Sequence, residues 1–306
     1  MKSAPLVSIV IPALNPGFFR VALQSALDQN YDNLEIIVCD DSRTAEIKAI
    51  FDETVPADSE IARYVANPHR LGFQNNLLQC LELARGEYIK FLCDDDRLYS
   101  HCVARQAQVL DRHEDARLVV SRRYLVDVDD YVLPARMENV GLVPYDALFK
   151  GEDMLAIFEK TPRNYLGGFS GALMRRSDVS DYLPSLAQPG QGFVALLDFA
   201  LFICLMRRGN LVALNSVDSA ERMHPGRFSS QSDMYQKATT EWGWLNEMLK
   251  ARSGEQAPAQ GWVRFLPLRK VEGLSHDWDE VGLYGVMANR QGVMRSRVGS
   301  ESESFA

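Results

Sequence analysis

Apolar residues in the first third of the chain fall into short unbroken runs, separated by stretches with helical spacing. Val7-Ser8-Ile9-Val10-Ile11 is mostly β-branched and stops at Pro12. A run of that kind predicts a strand buried on both faces. Leu34–Cys39 ends in Asp40-Asp41, Ile61–Ala66 gives a third strand, and Tyr88–Cys93 gives a fourth that runs into Asp94-Asp95-Asp96. Between them, Pro16–Gln29 sets Phe19, Leu23, Ala26 and Leu27 at helical spacing, with Pro16 suited to a first turn. Ala45–Phe51 predicts a short helix. Phe73–Ala84 aligns Leu77, Leu78, Leu81 and Ala84, with Gly86 just past its end as a stop. Another helical pattern starts near Leu98, and a fifth strand ends by about residue 125.

Strands that alternate with helices predict an α/β fold with a mostly parallel sheet covered on both faces. Right-handed crossovers then set the strands' carboxyl ends on one rim. Asp40-Asp41 and Asp94-Asp95-Asp96 both lie at such ends, so acids distant in sequence are expected to converge on one crevice.

The pattern loosens after residue 126. Asp127–Pro144 contains turns and a candidate hairpin, and Tyr145–Lys160 reads as a helix closed by Pro162. Gly167-Gly168-Phe169-Ser170-Gly171 precedes a strand at Ala172–Met174. Val194–Arg208 is a helix stopped by Gly209, and Leu211–Leu214 is the last strand. Tyr235–Lys250 is a helix with Trp242, Leu245 and Leu249 on one face. Ser253–Gln260 reads as a linker, and Arg290–Ala306 has the composition of a disordered tail.

Composition narrows the classes. The chain has 306 residues, 46% apolar and 24% charged, which fits one large globular domain with or without an appendage. A net charge of −8 argues against a nucleic-acid partner. Cys39, Cys80, Cys93, Cys102 and Cys204 form no C-x-x-C pair and read as reduced thiols, hence a cytoplasmic protein. No transmembrane segment is expected, because the longest late apolar stretch, Phe193–Met206, is short and contains Asp198. Contact with a membrane face from the cytoplasmic side stays open.

Candidate chemistry follows from the acids. Three adjacent carboxylates raise one another's pKa unless something compensates. A divalent cation bridging to phosphate does so, whereas a helix N-cap run is the alternative. Asp40-Asp41 can accept from a base N–H or ribose hydroxyls, or can cap a helix near Thr44. The Gly167–Gly171 run lets backbone N–H groups approach a substrate, or is a plain loop; it lacks the Lys-Ser/Thr of a P-loop. Asp198 among Leu197, Phe199 and Leu201 is expected to hold its proton tightly and suits proton abstraction, unless it lies on an exposed polar stripe. Arg222, His224 and Arg227 offer phosphate and metal partners, or form a solvated loop.

Taken together these segments resemble GT-A glycosyltransferases of the inverting family two. The matching blocks are Val7–Asn15, Ala22–Gln29 with Leu34–Ser42, Gly72 with Ala84–Leu92 leading into the acids, and Asp198 with Leu205–Gly209. The resemblance implies a catalytic domain over residues 1–232, with a nucleotide half (1–125) and an acceptor half (126–232). A helical extension over 233–289 would follow. It implies that Pro12, Ala13 and Asn15 underlie the nucleotide, that Asp41 reads a base (usually uracil), and that Asp94 reaches ribose. It makes Asp95 the metal acid with Asp96 beside it, and His224 a contact to metal or diphosphate. Asp198 would be the general base, and Arg222 or Arg227 a diphosphate clamp. Mn2+ or Mg2+ would be the cofactor. The partners would be a UDP-sugar donor and a hydroxyl acceptor, whether glycan, lipid-linked or other. Departures from the pattern are Cys93 for a common Asp, Ser42 for Gly, Leu78 for Asn, and Leu197 for Glu before Asp198. A sugar-phosphate nucleotidyltransferase would want a basic Gly-rich loop after the first strand, which Leu14–Phe19 does not supply. A non-catalytic nucleotide-sugar binder would keep Asp41 and dispense with Asp198.

Overall fold

Strands β1 (Val7–Ala13) and β2 (Leu34–Asp40) pair in parallel, Val7 opposite Leu34 and Ala13 opposite Asp40. All residues of both are buried. Their side chains alternate between two apolar layers. Ile9, Ile11, Ile36 and Val38 enter one, while Val10, Ile37 and Cys39 enter the other. This is why the sequence shows unbroken apolar runs rather than alternation. β3 (Ala62–Ala66) adds to β2, and β4 (Tyr88–Phe91) adds to β1, both parallel. The connecting helices are α1 (Pro16–Leu27), α2 (Glu46–Thr54) and α3 (Phe73–Leu83). The computed structural model describes residues 4–134, 142, 145–160, 163–250, 262–268 and 279–282.

After β4 come β5 (Arg97–Leu98), α4 (Cys102–Arg112) and β6 (Ala116–Val126). The helical pattern near Leu98 therefore starts later than its spacing suggests, because Leu98 pairs with Ser219 in a short strand. Next are β7 (Ala147–Phe149), α5 (Gly151–Lys160), β8 (Ala172–Arg175) and α6 (Arg176–Leu186). The chain continues through α7 (Leu197–Arg208), β9 (Asn210–Arg222) and α8 (Met234–Lys250) to β10 (Trp262–Pro267) and β11 (Asp279–Gly282).

The sheet order is β11-β10-β7-β9-β6-β8-β4-β1-β2-β3, with β5 on β9. β8 is antiparallel to both β4 and β6, and β6 is parallel to β9. Hence β1 to β4, β6 and β9 all point the same way, and their carboxyl ends share one rim.

The structure differs from the sequence pattern in four places. Ala147–Phe149 leaves the expected helix to pair with β9, since three apolar residues carry no decisive period. Gly151 then starts α5, where a Cβ would sit 2.0 Å from the Gly209 carbonyl. α6 is not predicted, because Pro184 interrupts its last turn. β9 runs to Arg222 rather than Leu214. In the extension only α8 is helical among the described residues, and β10 and β11 return to the sheet edge beside β7. The linker at 253–260 and the tail at 290–306 lie outside the described residues.

Candidate functional site

A cavity of about 480 Å3 opens at the rim, lined by Pro12, Asn15, Asp41, Asp94, Asp95, Asp198 and His224 among others. Most of the expected site residues therefore meet in one place, as the topology demands. Ala13 does not reach it. It is fully buried, and its carbonyl accepts the Asp41 N–H at 2.8 Å.

Asp94 closes the turn after β1. One of its oxygens accepts the N–H groups of Leu14 (2.6 Å) and Asn15 (2.8 Å). The Asn15 side chain in turn caps α1 by accepting from Gly17 N–H at 3.0 Å. Burial pushes the Asp94 carboxyl up to about 6; Asp95 adds to the rise and the turn N–H groups oppose it. Asp94 thus joins two strand ends at the cavity rim.

Asp41 is buried, and both its oxygens hold the 67–72 loop. They accept from Asn67 Nδ2 (3.0 Å), Leu71 N–H (2.7 Å) and Gly72 N–H (2.9 Å). Asn67 also donates to Asn76, whose amide donates to the Cys39 carbonyl. Gly72 has φ +79°, a conformation that suits glycine.

Asp96 and Arg222 form the joint between the two halves. The carboxylate of Asp96 accepts Ser170 Oγ–H at 2.6 Å and Arg222 N–H at 3.0 Å. Ser170 also accepts the Cys93 N–H. Burial, with Asp95 and Glu221 adding, raises the Asp96 pKa well above the carboxylate range. The Arg222 guanidinium is 1% exposed and donates to the carbonyls of Asp95 and Asp127 and to the Asp130 carboxylate. It also lies 4.5 Å from the Phe18 ring centre. These contacts correct one expectation. With all three guanidinium nitrogens engaged by protein acceptors, Arg222 is a brace rather than a diphosphate clamp. Asp96, with both oxygens bonded, is a strut of the rim as well as the neighbour of Asp95.

Asp95 is the acid left facing the cavity. Its Oδ2 lies 3.1 Å from His224 Nε2, and the His224 ring packs 5.0 Å from Phe18. The sulfur of Cys93 and carboxylate oxygens of Asp95 and Asp96 lie within 4.8 Å of one another. Adjacent carboxylates with an imidazole and a thiol beside them make a donor set able to hold a divalent cation, the oxygens suiting Mn2+ or Mg2+.

Asp198 sits in the first turn of α7, half-buried, and lines the same cavity. One oxygen accepts the Phe199 N–H at 2.6 Å. The other lies 3.5 Å from where a Cβ on Gly168 would be, so the glycine loop meets it closely. Burial pushes its pKa up to about 7; Phe199 N–H and Arg123 oppose the rise and Glu221 adds to it.

Several residues of the site leave only a faint trace in the sequence pattern. Glu221 accepts from Arg123 (2.6 Å) and Arg227 (2.7 Å). Burial alone would raise its pKa, but the two guanidiniums hold it below the usual range. Arg123 also fixes the glycine loop, since a Cβ on Gly167 (φ +91°) would lie 2.4 Å from it. Asn164 organises the same loop by accepting from Leu166 and Gly167 N–H. The signals were faint: polar residues within an expected strand, and an Asn three residues before a glycine.

Comparison with known proteins places this geometry. A UDP-Glc:alpha-D-GlcNAc-diphosphoundecaprenol beta-1,3-glucosyltransferase of Escherichia coli is 26% identical over 227 residues, 74% of this chain and 80% of its own length. A GalNAc(5)-diNAcBac-PP-undecaprenol beta-1,3-glucosyltransferase of Campylobacter jejuni is 30% identical over 105 residues, 34% of each chain. The match spans 13% to 40% of the length of seven curated relatives, the Campylobacter protein among them. The crystal structure of S. aureus TarS 1–349 with UDP-GlcNAc superposes with a TM-score of 0.59 at 15% identity, over 82% of this chain and 68% of that one, a likeness of fold. Residues 8–183 match the profile of Glycosyl transferase family 2, more than half the chain, and the chain belongs to that family.

Proposed function

We propose that the protein is a metal-dependent inverting glycosyltransferase. It moves a sugar from a nucleotide-diphosphate donor, UDP-linked, to a hydroxyl of a glycan or lipid-linked acceptor in surface-polysaccharide or glycoconjugate synthesis. The observation that carries the reading is that one cavity is lined both by Asp95, beside His224, and by Asp198 with its raised pKa. Family membership and the named activities of the relatives from E. coli and C. jejuni support it. No described helix is long and apolar enough to cross a membrane, so a lipid-linked acceptor would be met at the membrane face.

Asp95, with His224 and Asp96 at hand, would hold Mn2+ or Mg2+; bound there, the ion offsets the charge that develops on the departing diphosphate. Asp41 and the turn of Pro12 and Asn15 receive the base and ribose, with Asp94 fixing that turn. Arg227, on the cavity wall and paired with Glu221, is the candidate contact to the diphosphate. Asp198 accepts the proton of the acceptor hydroxyl, and that oxygen attacks the anomeric carbon from the face opposite the phosphate. A pKa of about 7 suits this, because a base works best near the operating pH.

Incubation with UDP-, GDP- and dTDP-sugars plus Mn2+, monitored for nucleotide release and by NMR for the product anomer, tests the reading. UDP-sugar turnover with inversion supports it. Retention of configuration, or metal-independent release at the full rate, would refute it.

A further inference from the structure

The N-terminus of α7 has no side-chain cap of its own. Its approach, Val194-Ala195-Leu196, instead points three successive backbone N–H groups at one carboxylate on a distant helix. Glu241 of α8 accepts Val194 N–H (2.9 Å) and Ala195 N–H (3.2 Å) on Oε1, and Leu196 N–H (2.8 Å) on Oε2. Three converging amides form a concave anion site, and charge-assisted bonds of this kind are strong. Glu241 is 3% exposed. It shares a helix face with Leu245 and Leu249, both buried, so a carboxylate stands where the helix period calls for an apolar residue. Neighbouring side chains of α8 grip the same segment. Trp244 meets Phe193 edge-on at 5.6 Å, and Trp242 meets Phe199 at 5.7 Å. Phe193 and Phe199 bracket Asp198.

We propose that Glu241 is a positioning residue. From α8 it fixes the 194–196 backbone so that Asp198 is presented to the acceptor hydroxyl, which makes α8 part of the catalytic unit rather than an appendage. The proposal rests on the reading of Asp198 as the base. It has a geometric reason: among the described residues the Asp198 carboxylate is held by backbone amides of its own turn, its own and that of Phe199 at 2.6 Å, so its place follows the backbone. A displacement of about 1 Å at a reacting group can cost about 100-fold in rate.

The test compares Glu241→Ala, Glu241→Gln, Asp198→Asn and Leu249→Ala in the full chain. Leu249→Ala truncates a buried residue two turns beyond Glu241 on the same helix, whose side chain makes no hydrogen bond to the segment, and controls for general destabilisation. The probes are UDP-glucose and UDP-GlcNAc with Mn2+, read as UDP release, together with hydrogen exchange at amides 194–196. Glu241→Ala is expected to speed exchange there at least ~10-fold and to lower kcat ~10- to 100-fold, with KM for the donor within about twofold. Glu241→Gln, which keeps one acceptor oxygen, falls between. Leu249→Ala lowers Tm comparably yet leaves both readouts near wild type. Unchanged exchange in Glu241→Ala, or a kcat equal to that of Leu249→Ala, overturns the proposal. If Asp198→Asn retains turnover, the base reading falls and this inference with it. If Asp198→Asn is inactive while Glu241→Ala keeps its kcat, only the positioning role falls.

Discussion

Strands β2 and β9 run to the same rim, yet they are built in opposite ways. β2 is seven residues, apolar up to its terminal Asp40 except for Glu35, and buried throughout. β9 is thirteen residues, and its second half, Asn-Ser-Val-Asp-Ser-Ala-Glu-Arg, is polar while Asp218, Ser219 and Arg222 are almost wholly buried. One strand is held by apolar layers on both faces. The other is held by specific partners: Asp218 with His101, Arg105 and Ser216; Glu221 with Arg123 and Arg227; Arg222 with Asp95, Asp96, Asp127 and Asp130. The contrast separates a frame that tolerates apolar exchange from a wall where each polar group needs its partner.

The largest expected effect tests the wall. Asp198→Asn should lower transfer by about 10^3-fold or more while UDP affinity stays within about twofold, by stopped assay and calorimetry. Loss of UDP binding in the folded variant would count against a pure base role. The same substitution should stabilise the fold above pH 7. The folded pKa is raised to about 7, so between the unfolded value near 4 and pH 7 the folded state holds a proton the unfolded state has lost. Stability therefore falls as pH rises across that window and then levels off. Asn removes the cost, on the order of 1–2 kcal/mol once water reaching the cavity is allowed for. Urea melts at pH 5 and pH 8 read the difference, and an equal effect at both would break the argument.

The same titration governs rate. Activity should climb with pH up to about 7 as Asp198 loses its proton, then flatten, and the rise should vanish from the residual rate of Asp198→Asn. A profile flat from pH 5.5 to 8 would place the essential base elsewhere.

Two smaller effects sharpen the comparison between the halves. Asp96→Ala strands the Ser170 hydroxyl and the Arg222 N–H, and should cost about 2–3 kcal/mol together with most of the activity. Ile36→Val in β2 should cost only about 0.5–1.5 kcal/mol and leave kcat of the folded protein unchanged. If Ile36→Val impaired kcat as strongly as Asp96→Ala, the division into frame and wall would be wrong.

The frame was legible in the sequence because apolar runs and glycine stops report burial directly. β1, β2, β4, α1 and α3 stand where the pattern puts them, and the acids that follow β2 and β4 meet at the rim. The wall was less legible because its burial is polar. The chemistry of β9 beyond Leu214 looks like a loop until Asp96, Asp127 and Arg123 supply the missing partners. Arg222 illustrates the error this invites. Its type and spacing fit a phosphate ligand, yet its guanidinium is spent inside the protein. Glu241 illustrates the reverse, a buried acid at an apolar helix position whose three amide donors lie 45 to 47 residues away.

We propose that the carboxylates gathered at the ends of β2 and β4 receive a nucleotide diphosphate through a divalent cation on Asp95. Calorimetric titration of UDP into the wild type and Asp95→Ala, each with Mn2+ and with EDTA, measures it most directly. The account predicts Mn2+-dependent UDP binding in the wild type and its loss in Asp95→Ala. Equal affinity in all four titrations would contradict it.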